Sequence, residues 1–506
     1  MGFVFNKVRH LLYGGVCLGG FILLQGGCAL LVFDELSDMR QGAGGSTGSS
    51  GGLNGGALVS AAKLGQASDQ FVQGAAVDAQ GRVVLAGMTL GNSMQDVGCS
   101  SASKGGLDMF LTWVDPNKLE VTCPMSRLLG SLESDVPRGI ATNPKLGGVG
   151  IVGFSTGDFD CGNGSLTNHG GRDVVVTEFV GDSCSWQQSF GGLEDQEGRA
   201  MTFDAEGAAY IGGRFKGTLE FEDPAPSVAV GFDAFIAKLT FGTGAPSSSM
   251  RAGGPGDQEV HEIAVHSDNT LIVGGRFSET LDFQCTEPLI IQDAGHDALF
   301  VASLNPDTKT CTWQKKIAQG PQEDAPISLA IANDGDIFVA GGFRSRTLFP
   351  DPSPDQSKCK LDNLTQAEDV FVAKLNINGE CQWSRRFGEI DPSFAETQRA
   401  YAVAVDAASN VYVTGEFRGS ITFDATHRYQ SFGDADGFVL KLNSAGEYVW
   451  SNVIAGAGSE SGHAVVLDAS GEFVFVAGAF KDSSLNLAGE SLTPIGLDVF
   501  LAKLKR

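Results

Sequence analysis

Chemistry in this chain would have to come from histidines, carboxylates or cysteines. His261, Glu262 and His266 lie close together, but a zinc hydrolase needs its histidines four apart on a helix. Here they are five apart in a stretch whose alternation predicts a strand, which sends them to opposite faces. The sequence has no Gly-x-Ser-x-Gly elbow, phosphate-binding loop or EF-hand calcium loop. The Gly/Ser-rich segment 42–56 lacks the lysine of a phosphate loop. Sixty acidic residues would allow a glycosidase-like carboxylate pair, yet no spacing singles two of them out. The reading is a non-catalytic protein with no catalytic residue.

One acidic pattern does recur. Asp69, Glu133 and Asp135, Asp195 and Glu197, Asp257 and Glu259, Glu323 and Asp324, Asp391, and Glu460 fall at corresponding places along the chain. They could form a ring that holds Ca2+ or a cationic partner, with Asp195 and Asp257 as the candidate ligands. They could instead cap turns and pair with bases such as Lys216, Arg344, Arg418 and Lys481. The second reading is preferred, and no cofactor is expected.

Eight of the ten cysteines come two to a segment: Cys99 with Cys123, Cys161 with Cys184, Cys285 with Cys311, and Cys359 with Cys381. The separations are 24, 23, 26 and 22 residues. The remaining segments lack both members. Joint presence and joint absence predict disulfides and an oxidising compartment; eight buried thiols are the alternative. No short Cys-x-x-Cys spacing suggests zinc.

These residues sit on a repeated frame. A small-residue strand, a polar turn and a strand with a marked glycine recur seven times. That glycine falls at Gly87, Gly153, Gly213, Gly275, Gly342, Gly415 and Gly478. A variable loop leads to a strand of the type Asp-x-Phe-x-x-Lys-Leu, which opens at Asp108, Asp173, Asp233, Asp297, Asp369, Asp436 and Asp498, about 65 residues apart. A fourth strand carries Trp186, Trp313, Trp383 or Trp450. The fourth repeat has one extra residue before Leu304, which suggests a bulge in its third strand. In the last repeat Phe500, Ala502 and Leu504 share one face while Val499 and Leu501 share the other. A sheet apolar on both faces must be covered on both. The expected fold is all-β: a seven-bladed β-propeller of four-stranded antiparallel blades. The final repeat lacks a fourth strand, and the stretch 57–64 reads like one, so an N-terminal strand is expected to close the last blade. Sixty-nine glycines in 506 residues fit such a turn-rich chain. A net charge of −25, with no basic patch, argues against nucleic acid.

The unit from Ala402 to Trp450 resembles the SBBP repeat of secreted bacterial seven-bladed β-propellers, and the resemblance covers about residues 57–506. It implies architecture and no settled activity. Ahead of it, Lys7 and Arg9 precede an apolar run, as in an export signal. Leu24-Gln25-Gly26-Gly27-Cys28 resembles the lipobox of bacterial lipoproteins, departing from it at Gln25. That resemblance implies residues 1–27 as the signal and Cys28 as a lipidated N-terminus. An uncleaved membrane helix over 11–33 and a fully released protein are the alternatives. Residues 28–56 would then be the anchor segment and a Gly/Ser-rich tether reaching roughly 20–25 Å. The functional expectation is a surface-displayed binding or scaffold protein, tied to the membrane through its lipid only, whose partner is an envelope polysaccharide or another protein. A secreted glycan-active enzyme and a purely structural envelope protein are the rivals.

Overall fold

The computed structural model describes residues 56–65, 69–90, 105–221, 227–291, 293, 295–321, 327–344, 359–363, 367–389 and 396–506. The export segment, Cys28, Cys99, Glu323, Asp324 and Asp391 lie outside the described residues. Among the described residues there is no helix. Seven four-stranded antiparallel sheets form the blades of a β-propeller. Blade I opens with Gln70–Val77, blade II with Asp135–Thr142, blade III with Gln196–Phe203 and blade IV with Gln258–Val265. Blade V opens with Ile327–Ile331, blade VI with Gln398–Val405 and blade VII with Ser459–Leu467. Each of these first strands touches the first strands of both neighbouring blades, and blade VII returns to blade I. The first strands therefore form the innermost ring, around the propeller axis.

Closure is as expected. Leu58–Lys63 pairs antiparallel with Asp498–Lys505, with Ala61 opposite Ala502, and supplies the outer strand of blade VII. The two-faced strands also behave as expected. Phe500, Ala502 and Leu504 pack with Tyr412 and Val439 of blade VI. Val499 and Leu501 pack with Val72, Val83 and Phe110 of blade I. The hydrophobic core thus lies between blades, and burial of these faces drives their stacking.

Two details differ from the expectation. The glycine of blade V that faces the third-strand phenylalanine is Gly341, opposite Phe371, and Gly342 pairs with Val370. The additional residue of blade IV leaves its third strand in continuous register with the second, from Leu304 to Asp297. The irregularity falls in the fourth strand, where Leu299 faces Ala318 and Phe300 faces Lys316.

The outer strands are locked by tryptophan. Trp186, Trp313 and Trp383 lie against Gly244, Gly379 and Gly446, the turn glycines of the following blades. A Cβ there would collide with the indole, and each glycine has a positive φ. The long loops after the second strands turn back onto their own blades. Phe221 packs on Phe235 at 5.6 Å, Phe283 on Phe300 at 5.7 Å and Phe423 on Phe438 at 5.6 Å. Disulfides Cys161–Cys184, Cys285–Cys311 and Cys359–Cys381 fasten three of these loops to fourth strands. Cys123 is disulfide-bonded as well.

Candidate functional site

The described members of the acidic series divide by depth. Asp69, Asp195 and Asp257 are stitches between blades. Their Oδ1 atoms accept the backbone N–H groups of Leu497, Arg172 and Phe232 at 3.0–3.1 Å, each the residue before the third-strand aspartate of the preceding blade. Their carbonyls accept from Leu90, Lys216 and Ser278, at the ends of their own second strands. This is turn-capping chemistry. The bases pair with other acids: Lys216 with Glu194, Arg344 with Glu368, Arg418 with Asp434 and Lys481 with Asp482. Among the described residues no three His, Cys, Asp or Glu side chains gather in a metal-holding group.

One residue deeper, six of the seven first strands begin with a buried polar group beside the third-strand aspartate of the previous blade. It is Gln70, Gln196, Gln258 and Gln398 in four blades, but Asp135 in blade II and Glu460 in blade VII. Burial pushes Asp135 up to about 7, with Asp108 adding to the shift. Burial and the neighbouring Asp436 push Glu460 up to about 9.

Two to three residues further in, the register breaks. In six first strands the pairing skips one residue, leaving Gln73, Arg138, Arg199, His261, Tyr401 and His463 as bulges. A bulge re-aims its side chain, and all six are half-buried on the innermost strands. They meet across blade boundaries. His463 stacks on Tyr401 at 4.8 Å and meets Phe71 edge-on at 4.4 Å. Arg199 Nη2 lies 3.0 Å from Glu197 and 3.4 Å from Glu259 of the next blade.

Around those two glutamates the rim is dense with charge. Glu197 accepts from Arg172, Arg199 and Arg214. Glu259 accepts from Arg214 at 3.0 Å, Arg276 at 3.0 Å and His261 Nε2 at 2.9 Å. Burial opposes ionisation of Glu197, but Arg199, Arg214 and Arg172 outweigh it and hold the carboxyl well below the usual carboxylate range. Glu259 is held low in the same way, by Arg199 and His261 against burial. Burial holds the His261 imidazole below its ordinary value although Glu259 favours the cation. Beside it, burial pushes the half-buried Glu262 up to about 7. On the far side of the ring Glu368 accepts from Arg399 at 2.8 Å, and burial raises both Glu416 and Tyr401.

The histidine motif resolves accordingly. His261 belongs to this rim, whereas His266 lies in the turn after the strand with Nδ1 3.0 Å from Asp268. The recurring Gln-Glu pair and the polar residue after it, in otherwise small-residue strands, were the available sequence signal for the rim.

No protein-family model matches the chain. It is similar to an uncharacterized WD repeat-containing protein of Acanthamoeba polyphaga mimivirus, 28% identical over 196 residues. The match covers 34% of this chain and 14% of that relative, so the chain spans a small part of its length. Among solved structures it is similar to the periplasmic gluconolactonase PpgL of Pseudomonas aeruginosa, with a TM-score of 0.44, 12% identity, and 86% of this chain and 99% of that one covered. A protein of unknown function from Dyadobacter fermentans gives a TM-score of 0.39 at 11% identity, covering 89% and 98% of the two chains.

Proposed function

We propose that this propeller is an exported, non-catalytic binding or scaffold module of the SBBP type, held at the cell surface through Cys28. Its ligand is an envelope polysaccharide or a protein partner, and its ligand surface is the inner rim. The observation that carries the reading is the row of six bulges. The seven repeats agree at the positions that pair and pack, yet the six bulges deliver four kinds of polar side chain, Gln, Arg, His and Tyr. A site read by shape and hydrogen bonding needs such variety; a packing position does not. The disulfides support an oxidising, exported setting.

The test is a thermal melt of the full-length oxidised chain against bacterial polysaccharides. A ligand at a hundred times its Kd adds about 2.7 kcal/mol. The shift should vanish in Tyr401→Ala and persist when Asp257 is changed. A shift insensitive to every rim substitution would remove the rim as the ligand surface. Release of a soluble product, abolished by changing one rim carboxylate, would replace binding by glycan hydrolysis.

A further inference from the structure

We infer that the rim across blades III and IV recognises a carboxylate standing next to a hydroxyl, so that the polysaccharide is one built from uronic-acid residues. This deepens the proposal above and rests on the rim being the ligand surface. Five guanidinium groups, from Arg138, Arg172, Arg199, Arg214 and Arg276, gather around Glu197 and Glu259, with Asp297 adding a carboxylate at Arg276 and Asp257 another near Arg214. In a chain of net charge −25, that is a local surplus of positive charge.

Arg199 and His261 each leave one atom over. Arg199 makes both of its glutamate contacts through Nη2, and its Nε is buried with no partner. His261 Nδ1 is also buried with no partner, on a side chain only 7% exposed. A buried polar atom left unpaired is costly, so both atoms have a use for a ligand. Their chemistries differ. Arg199 Nε–H is a donor. The ionised Glu259 beside His261 Nε2 assigns the imidazole proton to Nε2, which leaves Nδ1 an acceptor. A donor within a cationic cluster takes a carboxylate oxygen, and the adjacent acceptor takes a hydroxyl proton. Arg199 and His261 occupy equivalent bulges on neighbouring blades and both touch Glu259. A hexuronate residue with a free 4-hydroxyl presents that pair of groups; a neutral sugar lacks the anion, and sulfate lacks the neighbouring hydroxyl.

The experiment is calorimetric titration of the full-length chain with tetragalacturonate, maltotetraose and sodium sulfate. Tetragalacturonate should bind, more weakly as salt rises, with maltotetraose and sulfate at least tenfold weaker. Arg199→Gln and His261→Phe should each weaken tetragalacturonate at least tenfold. Arg199→Lys keeps the charge without the fork; should Arg199→Gln fail to fold, the folded Arg199→Lys should still lose affinity. Equal binding of sulfate, or unchanged affinity in the folded Arg199 and His261 variants, overturns the inference. If maltotetraose binds instead and Tyr401→Ala abolishes it, the rim proposal stands and the uronate inference falls; if no rim variant alters any binding, both fall.

Discussion

Replacing Glu460 by Gln should stabilise the protein at alkaline pH. In four blades the first strand begins with a glutamine next to the preceding blade's aspartate. Gln196 shows its use: its Oε1 accepts the N–H of Gly192 at 2.8 Å, leaving the amide nitrogen to donate. Glu460 Oε2 accepts the N–H of Gly456 at 2.7 Å in the same relation. The remaining oxygen, Oε1, and Asp436 Oδ1 are both buried without a partner. Two acceptors at this spot need a proton between them: burial first and then Asp436 raise Glu460 to about 9, whereas Asp436 is raised to about 7 by burial alone, against the lowering effect of its hydrogen bond with Glu460. An acid whose folded pKa is raised contributes stability that is full below its unfolded value, near 4.5, and is lost as pH rises through the folded value. Each retained proton is worth about 1.4 kcal/mol per pH unit in that window. Between pH 7 and 9 the Glu460 proton alone amounts to about 3 kcal/mol. With an unfolding entropy near 2.1 cal/mol/K per residue over roughly 450 residues, that is about 3 °C in Tm. Melts of Glu460→Gln should gain about 3 °C on those of wild type between pH 7 and pH 9, leaving the variant the more stable at pH 9. Gln196→Glu should import the same slope into blade III. Parallel curves from pH 5 to 9, or a less stable Glu460→Gln at pH 9, would refute the reasoning.

Further outcomes follow from the frame. Changing Cys359 and Cys381 together to Ser should cost about 2–4 kcal/mol, read as a lower Tm, and thiol counting of the unreduced wild type should find Cys161, Cys184, Cys285, Cys311, Cys359 and Cys381 all blocked. Phe283→Ala, at a fully buried loop residue, should cost about 3–5 kcal/mol and raise hydrogen exchange in the loop after Ser278. Deleting residues 57–63 bares the edge of Asp498–Lys505, and light scattering should then detect self-association. Asp257→Asn should lower Tm by the same amount with calcium and with chelator, since its Oδ1 is engaged by Phe232 N–H; a calcium-dependent difference would make the aspartate a ligand.

The sequence displays the frame because the frame is periodic. Gly, Asp, Phe and Trp return at matching offsets, and each return reports one constraint met seven times, such as the aspartates Asp108 through Asp498 at the heads of third strands. The outer loops were partly legible too. Leu219-x-Phe221, Leu281-x-Phe283 and Ile421-x-Phe423 share a spacing that marks the phenylalanine folding back on its blade, although cysteine spacing was the easier clue. What stayed hidden was depth. Asp195, Gln196, Glu197 and Arg199 are neighbours in sequence but serve as a surface cap, a buried junction and an inner-rim ion pair. A strand crossing from the loop face towards the axis changes environment within a few residues, and a one-residue bulge reverses the side-chain alternation that would otherwise be read.

That same bulge separates architecture from function in this molecule. A position that pairs in the ladder and packs between blades is constrained by both neighbours, so its residue type recurs: glycine against phenylalanine at Gly87, Gly213 and Gly478 is one example. A bulged position on the innermost strand pairs with nothing across the ladder and faces the axis. It is released from the pairing constraint, so its side chain is free to differ from blade to blade. Gln73, Arg138, Arg199, His261, Tyr401 and His463 use that freedom to place donors, acceptors, charge and aromatic faces around one axis. The repeats therefore report recognition chemistry by where they disagree, and Arg199 with His261 is the adjacent pair of those positions that shares Glu259.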